Sequence, residues 1–364
     1  MSALSGNPFV EITGYDCGWE LPEINESQGG NPERSVEGLE ILKQRDLSVD
    51  VSRAEEVLGQ LFEAGSRAWG LYGSITRETH APQIVHVPPG IEPGSLEHRV
   101  YLALVVMTDR RSQSMGLYER HVELYRRCSW LYGREGMSVS SDVIFPILVQ
   151  HQIGMPKPVS ESWPRLIETI YLDLNGDPLN LYMSKPGMVR GIDDILALKK
   201  KDAKKRESRK TGELDLPGFG PKILSLLALF YSELGLMDIP EDACPVDVHV
   251  QRLFLLTGAV SAHKEGDVYV RNDMLERIVR KTICQIAKKN DWSIIDLSHY
   301  MWFLGNQLCG TCHQRKDIFS ACPLAGGYCL GNFNTRDYFK KGLWRLNPNR
   351  RSVGFGGLNQ ECLW

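Results

Sequence analysis

Leu216-Pro-Gly-Phe-Gly-Pro-Lys222 and Val246-Asp-Val-His-Val-Gln-Arg252 are the stretches whose reading decides the fold of this chain and the place of its chemistry. In the first, Pro217, Gly218 and Gly220 separate a helical stretch from the apolar run Ile223–Tyr231. Glycines let the backbone turn tightly and let another molecule approach it closely. Pro221 is a favoured first-turn residue, so a helix is expected to start there with Lys222 beside it. The open N–H groups of such a start can hold a phosphate. In the second stretch Asp247 stands at the start of another helix, where a carboxylate can cap the first turn. Taken singly, Lys222 is a phosphate contact and Asp247 a cap. Taken together with the glycines, they set an amine and a carboxylate in one constellation, and that joint reading is the one preferred here.

Outward from this pair the chain reads as helix upon helix. Helical spacing of apolar residues is found over 53–71, 96–107, 114–127, 140–151, 162–173, 188–206, 220–234, 247–257, 271–289 and 292–305. Strand-like alternation is scarce outside Gln83–Val87, so an all-α class is expected. Residues 1–50 are polar and weakly periodic, and the four prolines of 81–96 mark a connector. With 364 residues, two domains or one large one are expected. No internal repeat is visible. No apolar run reaches the length of a membrane span, and the first residues lack the basic-then-apolar pattern of a secretory signal. An intracellular monomer without a membrane is the expectation.

The formal net charge of −3 does not itself suggest a polyanion partner, but the distribution is uneven. Residues 1–60 hold twelve acids against four bases. The block 199–210 (KKKDAKKRESRK) holds eight bases against two acids, and 336–351 holds six against one. Such blocks suit a phosphate backbone, or equally a solvated helix face. Nine cysteines are an odd number, and four form the pattern Cys309-x2-Cys312-x9-Cys322-x6-Cys329. Four thiols in one short stretch suit a [4Fe–4S] cluster or a structural zinc in a reducing compartment, not a secreted disulfide framework.

The hairpin and the Pro245-Val-Asp-Val-His249 segment resemble those of the helix-hairpin-helix DNA glycosylases, the superfamily of endonuclease III and 8-oxoguanine glycosylase. The resemblance covers roughly Leu96 to Cys329 and is fairly specific only when both halves are present. It implies a two-lobed helical fold and double-stranded DNA carrying a damaged or mismatched base as partner. It further implies glycosidic-bond cleavage with associated abasic-site lyase activity. Lys222 occupies the position of the lyase nucleophile, Asp247 that of the essential aspartate, and Gly218 and Gly220 shape the phosphate grip. The cysteines follow His299–Leu308, which resembles the helix that precedes the [4Fe–4S] cluster of endonuclease III-like enzymes. Two departures are visible. The stretch between Lys222 and Asp247 is longer than the family's, with Met237–Pro245 read as an extra loop. The cysteine spacing places the close pair before the long gap, which keeps zinc open.

On this reading 1–95 is an N-terminal extension with a helix packing on the cluster lobe. Residues 96–260 carry the hairpin and the Lys/Asp pair, 261–330 form the cluster lobe with its four cysteines, and 331–364 are a basic tail. In the family, the connection Met107-Thr-Asp-Arg-Arg-Ser-Gln-Ser114 faces DNA, making Arg110, Arg111 and Gln113 candidates for filling the gap left by a flipped base. Trp163, Trp302 and Tyr231 are aromatic residues that could stack on a base or simply belong to the core. Two alternatives stand beside the lyase: a glycosylase that uses water, and a non-catalytic module that binds nucleic acid through the hairpin.

Overall fold

The computed structural model describes residues 47–109, 114–185, 187–199, 213–261, 264–265, 268–270, 274–309, 317–325, 327–329, 332–334 and 343–347. All of them belong to one compact unit spanning residues 41–364. The helices are α1 (Val51–Ser66), α2 (Arg77–His80), α3 (Pro82–Val85), α4 (Leu96–Thr108), α5 (Ser114–Cys128), α6 (Ser141–Gln150) and α7 (Pro156–Glu168). They continue with α8 (Ile192–Leu198), α9 (Pro221–Glu233), α10 (Val248–Leu256), α11 (Met274–Lys289), α12 (Ile294–Phe303) and α13 (Ile318–Ala321). The strands are short: β1 (Ser48–Val49), β2 (Met183–Lys185), β3 (Met188–Val189), β4 (Val260–Ser261), β5 (Lys264–Glu265), β6 (Val268–Val270), β7 (Asn332–Asn334) and β8 (Leu343–Asn347). The protein is therefore mostly helical, as its apolar spacing predicts. Among the described residues no helix is long and apolar enough to cross a membrane.

Two apolar cores organise these elements. The first gathers buried residues from Ile91 to Ala243, contributed by α4 to α9. Its axis is α4, which is buried continuously from Val100 to Thr108 and so delivers its C-cap, Asp109, from the lobe's interior. The second core gathers α1, α10, α11 and α12 with the segment around Ala321 and Leu324. In α1 the buried residues Ala54, Val57, Leu58, Leu61 and Ala64 fall on one stripe. Each buried Leu or Val there contributes about 1.5–3 kcal/mol relative to exposure. The changeover between cores falls between Ala243 and Cys244, so α10 packs in the second core.

Several local expectations are corrected. Gln83–Val87, read as strand-like, begins as the helical turn α3, because Pro82 occupies its first position and pre-sets the helical φ. The helix expected over 188–206 is the strand Met188–Val189 followed by α8, which starts after Gly191. The helix expected over 162–173 starts earlier, at Pro156, and ends in a wider turn over Thr169–Asp173. In the basic tail, β8 is one of the two inner strands of an antiparallel sheet of order β5-β6-β8-β7, pairing Leu343 with Val270 and Arg345 with Val268. The block 200–212 lies outside the described residues, as do residues 1–46.

The loop Met237–Pro245 is a staple between the lobes. Asp242 accepts hydrogen bonds from the amides of Ile192 (2.7 Å) and Asp193 (3.0 Å), capping α8 from a distance. Buried Arg280 of α11 then reaches Asp193 Oδ1 at 2.7 Å and the Asp242 carbonyl at 2.9 Å. A buried guanidinium with this many acceptors is well satisfied.

Candidate active site

The hairpin turns at Gly218, whose φ of +86° is a left-handed value that favours glycine. Phe219 is buried in the first core, and its carbonyl accepts from Lys199 Nζ at 2.8 Å. That anchorage fixes the turn. Gly220 is the N-cap of α9 in extended backbone, with Pro221 at the first position as expected. A Cβ built on Gly220 would meet nothing within 4 Å, so the start of α9 is open on that side. Lys222 follows, one third exposed, and its Nζ donates to the Asp109 carbonyl at 3.2 Å and lies 3.5 Å from Asp109 Oδ2.

Asp247 caps α10. Its Oδ1 accepts from the amides of His249 (2.8 Å) and Val250 (3.0 Å). Burial is the main influence on this carboxyl and pushes it above the usual aspartate range. Lys222 and the two amides pull it back, while the Asp109 carboxylate pushes it up again. Asp247 is thus a helix cap, with one oxygen on the first-turn amides of α10, and its carboxyl feels the lysine.

Lys222, Asp247 and Asp109 line one pocket, a cavity of about 60 Å³. Its apolar walls come from Tyr118, Leu226, Leu229 and Phe230 of the first lobe and from Pro245 and Trp302 of the second. Gln83, Ser298 and His299 supply further polar groups. Apolar walls with a few convergent polar groups are the usual lining of a small-ligand site. The pocket lies where the two cores meet.

His249 is not in the pocket. It is buried, and burial together with Arg252 and Lys222 holds its imidazole well below the usual histidine value. A Cβ on Gly305 would come within 2.5 Å of His249 Cβ, so the turn after α12 packs directly on α10. Arg252 donates to the Gly305 carbonyl at 3.0 Å and completes this contact.

The other sequence candidates divide. Trp302 lines the pocket. Trp163 and Tyr231 do not: Trp163 is fully buried with Nε1 donating to the Leu131 carbonyl, and Tyr231 is buried with its hydroxyl on the Arg99 carbonyl. Their apolar surroundings decide them as core. Cys244 is buried, its thiol pushed up to about 12, which makes it inert. Arg110, Arg111 and Gln113 lie outside the described residues, as does Cys312.

Cys309, Cys322 and Cys329 are half-buried and pack against the second core. Cys322 and Cys309 both act on the buried Tyr72 hydroxyl, raising it beyond the effect of burial. Among the described residues no group of three His, Cys, Asp or Glu is placed to hold a metal ion.

Asp109, Glu233 and Gln83 were not singled out in the sequence. Asp109 stands next to Arg110 in the Met107–Ser114 connection, and its place just after the apolar run Val100–Met107 was an available signal. Glu233 and Gln83 carry no such mark.

No family model matches the chain, and no curated protein matches it.

Proposed function

We propose that this protein is a helix-hairpin-helix DNA glycosylase with associated abasic-site lyase activity. Its partner is double-stranded DNA carrying a damaged or mismatched base. The observation that supports this most is that Lys222 and Asp247, brought from different lobes, line the same pocket beside the open start of α9.

The chemistry follows from these groups. The hairpin amides grip a phosphate without reading sequence. The target base leaves the stack and enters the pocket, where Trp302 and Phe230 offer apolar faces. As the base–sugar bond breaks, positive charge grows on the sugar, and the carboxylate of Asp247 stabilises it. The Lys222 amine, after giving up a proton, attacks C1′, and the base departs with the bonding electrons and takes up a proton. Opening of the sugar ring leaves a Schiff base on Nζ. Loss of a C2′ proton then expels the 3′ phosphate, and water releases the enzyme. Asp109, in contact with Nζ, is the nearest carboxylate to receive the proton that Lys222 must lose.

In the same reading Cys309, Cys312, Cys322 and Cys329 hold a [4Fe–4S] cluster, with structural zinc as the alternative; either would staple the end of the second lobe. Iron with acid-labile sulfide, or zinc, in the purified protein decides between them.

The second reading keeps the fold and uses water. The contact of Lys222 with Asp109 favours it, because an amine engaged with a carboxylate is placed to hold a phosphate without attacking the sugar. Lys222→Ala separates the two. Nicking of an abasic duplex and base release both vanish if Lys222 is the nucleophile, whereas base release survives in the water-using enzyme. A module that only binds nucleic acid releases no base and nicks nothing, and its Asp247→Asn variant behaves like the parent.

A further inference from the structure

Behind the pocket wall lies a second polar cluster that the lyase chemistry does not use. Glu233, at the end of α9, is only 5% exposed at its side chain. Its Oε2 receives the Gln83 amide nitrogen at 2.5 Å, and its Oε1 lies 2.6 Å from His299 Nε2. Arg77 Nη1 approaches the same Oε1 at 3.7 Å. Gln83 and His299 both line the pocket, from α3 and α12 respectively.

A carboxylate only accepts hydrogen bonds. Glu233 therefore takes a donor from each neighbour and fixes what each has left. Gln83, with its amide nitrogen turned to Glu233, keeps its carbonyl oxygen. As a neutral imidazole that gives its Nε2–H to Glu233, His299 presents an acceptor at Nδ1. Neither atom is among the buried side-chain atoms that lack a partner. The imidazole is further held by Phe303, ring centroids 5.6 Å apart.

We propose that Glu233 is a positioning residue that sets the hydrogen-bond polarity of the pocket. It orients Gln83 and His299 so that their acceptors read the N–H edge of a nucleobase, and bases that present only acceptors on that edge are refused. This rests on the glycosylase reading and adds a substrate chemistry to it. The physical basis is the cost of a buried acceptor left unmet, which exceeds the worth of the bond when made.

The test compares two activities of the intact protein. Single-turnover base excision is followed on duplexes carrying uracil, dihydrouracil, thymine glycol or 8-oxoguanine. Each base is set beside a counterpart N-methylated to remove one N–H. Cleavage of a duplex with a preformed abasic site, which has no base to read, runs in parallel. Wild type is expected to prefer at least one parent base over its N-methyl counterpart by about ten-fold or more. In Gln83→Met and His299→Phe that preference collapses, and base excision falls about thirty-fold further than abasic cleavage does. Glu233→Ala does the same, and Glu233→Gln, which keeps one acceptor oxygen and turns a donor toward the other partner, restores the polarity at one partner at most.

Equal losses in both activities would make the cluster a structural tie between α3, α9 and α12 and overturn the proposal. So would retained discrimination in the variants, or a wild type that cleaves abasic DNA yet excises none of these bases. A wild type inert on abasic DNA and on every base would overturn the glycosylase reading itself, and this inference with it.

Discussion

Lys222 Nζ lies 3.5 Å from Oδ2 of Asp109 and 3.2 Å from the carbonyl oxygen of the same residue. The C-terminus of α4 thus holds an amine that α9 presents, while Asp247 approaches from the other lobe. Two carboxylates share one lysine, in unequal roles: Asp109 touches the amine, and Asp247 is tied to the start of α10.

Asp109→Asn leaves the carbonyl contact and removes the charge. Cleavage of an abasic duplex is expected to fall about ten-fold, the scale of a lost proton acceptor and a less well-placed nucleophile. Because Lys222 is one third exposed, the stability change should stay within about 1 kcal/mol. Unchanged single-turnover cleavage would remove Asp109 from the mechanism.

Asp247→Asn should separate activity from stability. The folded protein holds this carboxyl above its ordinary value, so the folded state binds the proton more tightly than the unfolded chain. The charged form therefore costs stability, fully above the raised value and not at all below the ordinary one. Asparagine keeps an oxygen for the amides of His249 and Val250 and removes the charge. At neutral pH the variant should be more stable, on the order of 1 kcal/mol, with the gain fading as pH falls toward the ordinary aspartate range. Base excision should drop at least about a hundred-fold. Thermal melts from pH 3 to 8 check the first claim; a variant less stable at neutral pH contradicts it.

The two hairpin glycines should respond differently. Gly218→Ala places a side chain at a φ of +86° and is expected to cost about 1–2 kcal/mol. Gly220→Ala meets open space and should melt within about 0.5 kcal/mol of wild type. Yet its methyl stands where a phosphate would approach, so duplex affinity should weaken several-fold. Equal affinity of Gly220→Ala and wild type for DNA, by fluorescence anisotropy, would take the phosphate away from this end of α9.

Gly305→Ala should reach the site indirectly. Its Cβ would fall 2.5 Å from that of His249, so α10 has to move. About 1–3 kcal/mol of destabilisation is expected from such overpacking. Excision should fall with it, because Asp247 rides on the same helix. Retained activity in a destabilised Gly305→Ala would show that the placement of α10 tolerates more than the pocket geometry suggests.

The legible parts of the fold were those with local causes. Pro221 at a helix start and Asp247 as a cap are each readable within a few residues and stand as expected, while the helix expected over 53–71 ends earlier, at Ser66. Gln83 misled because Gln-Ile-Val-His-Val alternates like a strand, while Pro82 ahead of it carried the decisive signal. Trp163 and Trp302 look alike in sequence; only packing puts one in the core and the other on the pocket. Glu233 and His299 are 66 residues apart, and no spacing rule connects a helix end to a helix middle at that distance. Pairings of that kind are tertiary, and they supply most of the pocket's polar lining.

The central claim, an amine at position 222 that attacks the sugar, is tested most directly by borohydride trapping on a duplex with an abasic site. A covalent protein–DNA adduct is expected that forms with wild type, persists in Gly220→Ala at higher DNA concentration, and is absent in Lys222→Ala. An adduct of equal yield in Lys222→Ala, or none with wild type under conditions where DNA is bound, would contradict it.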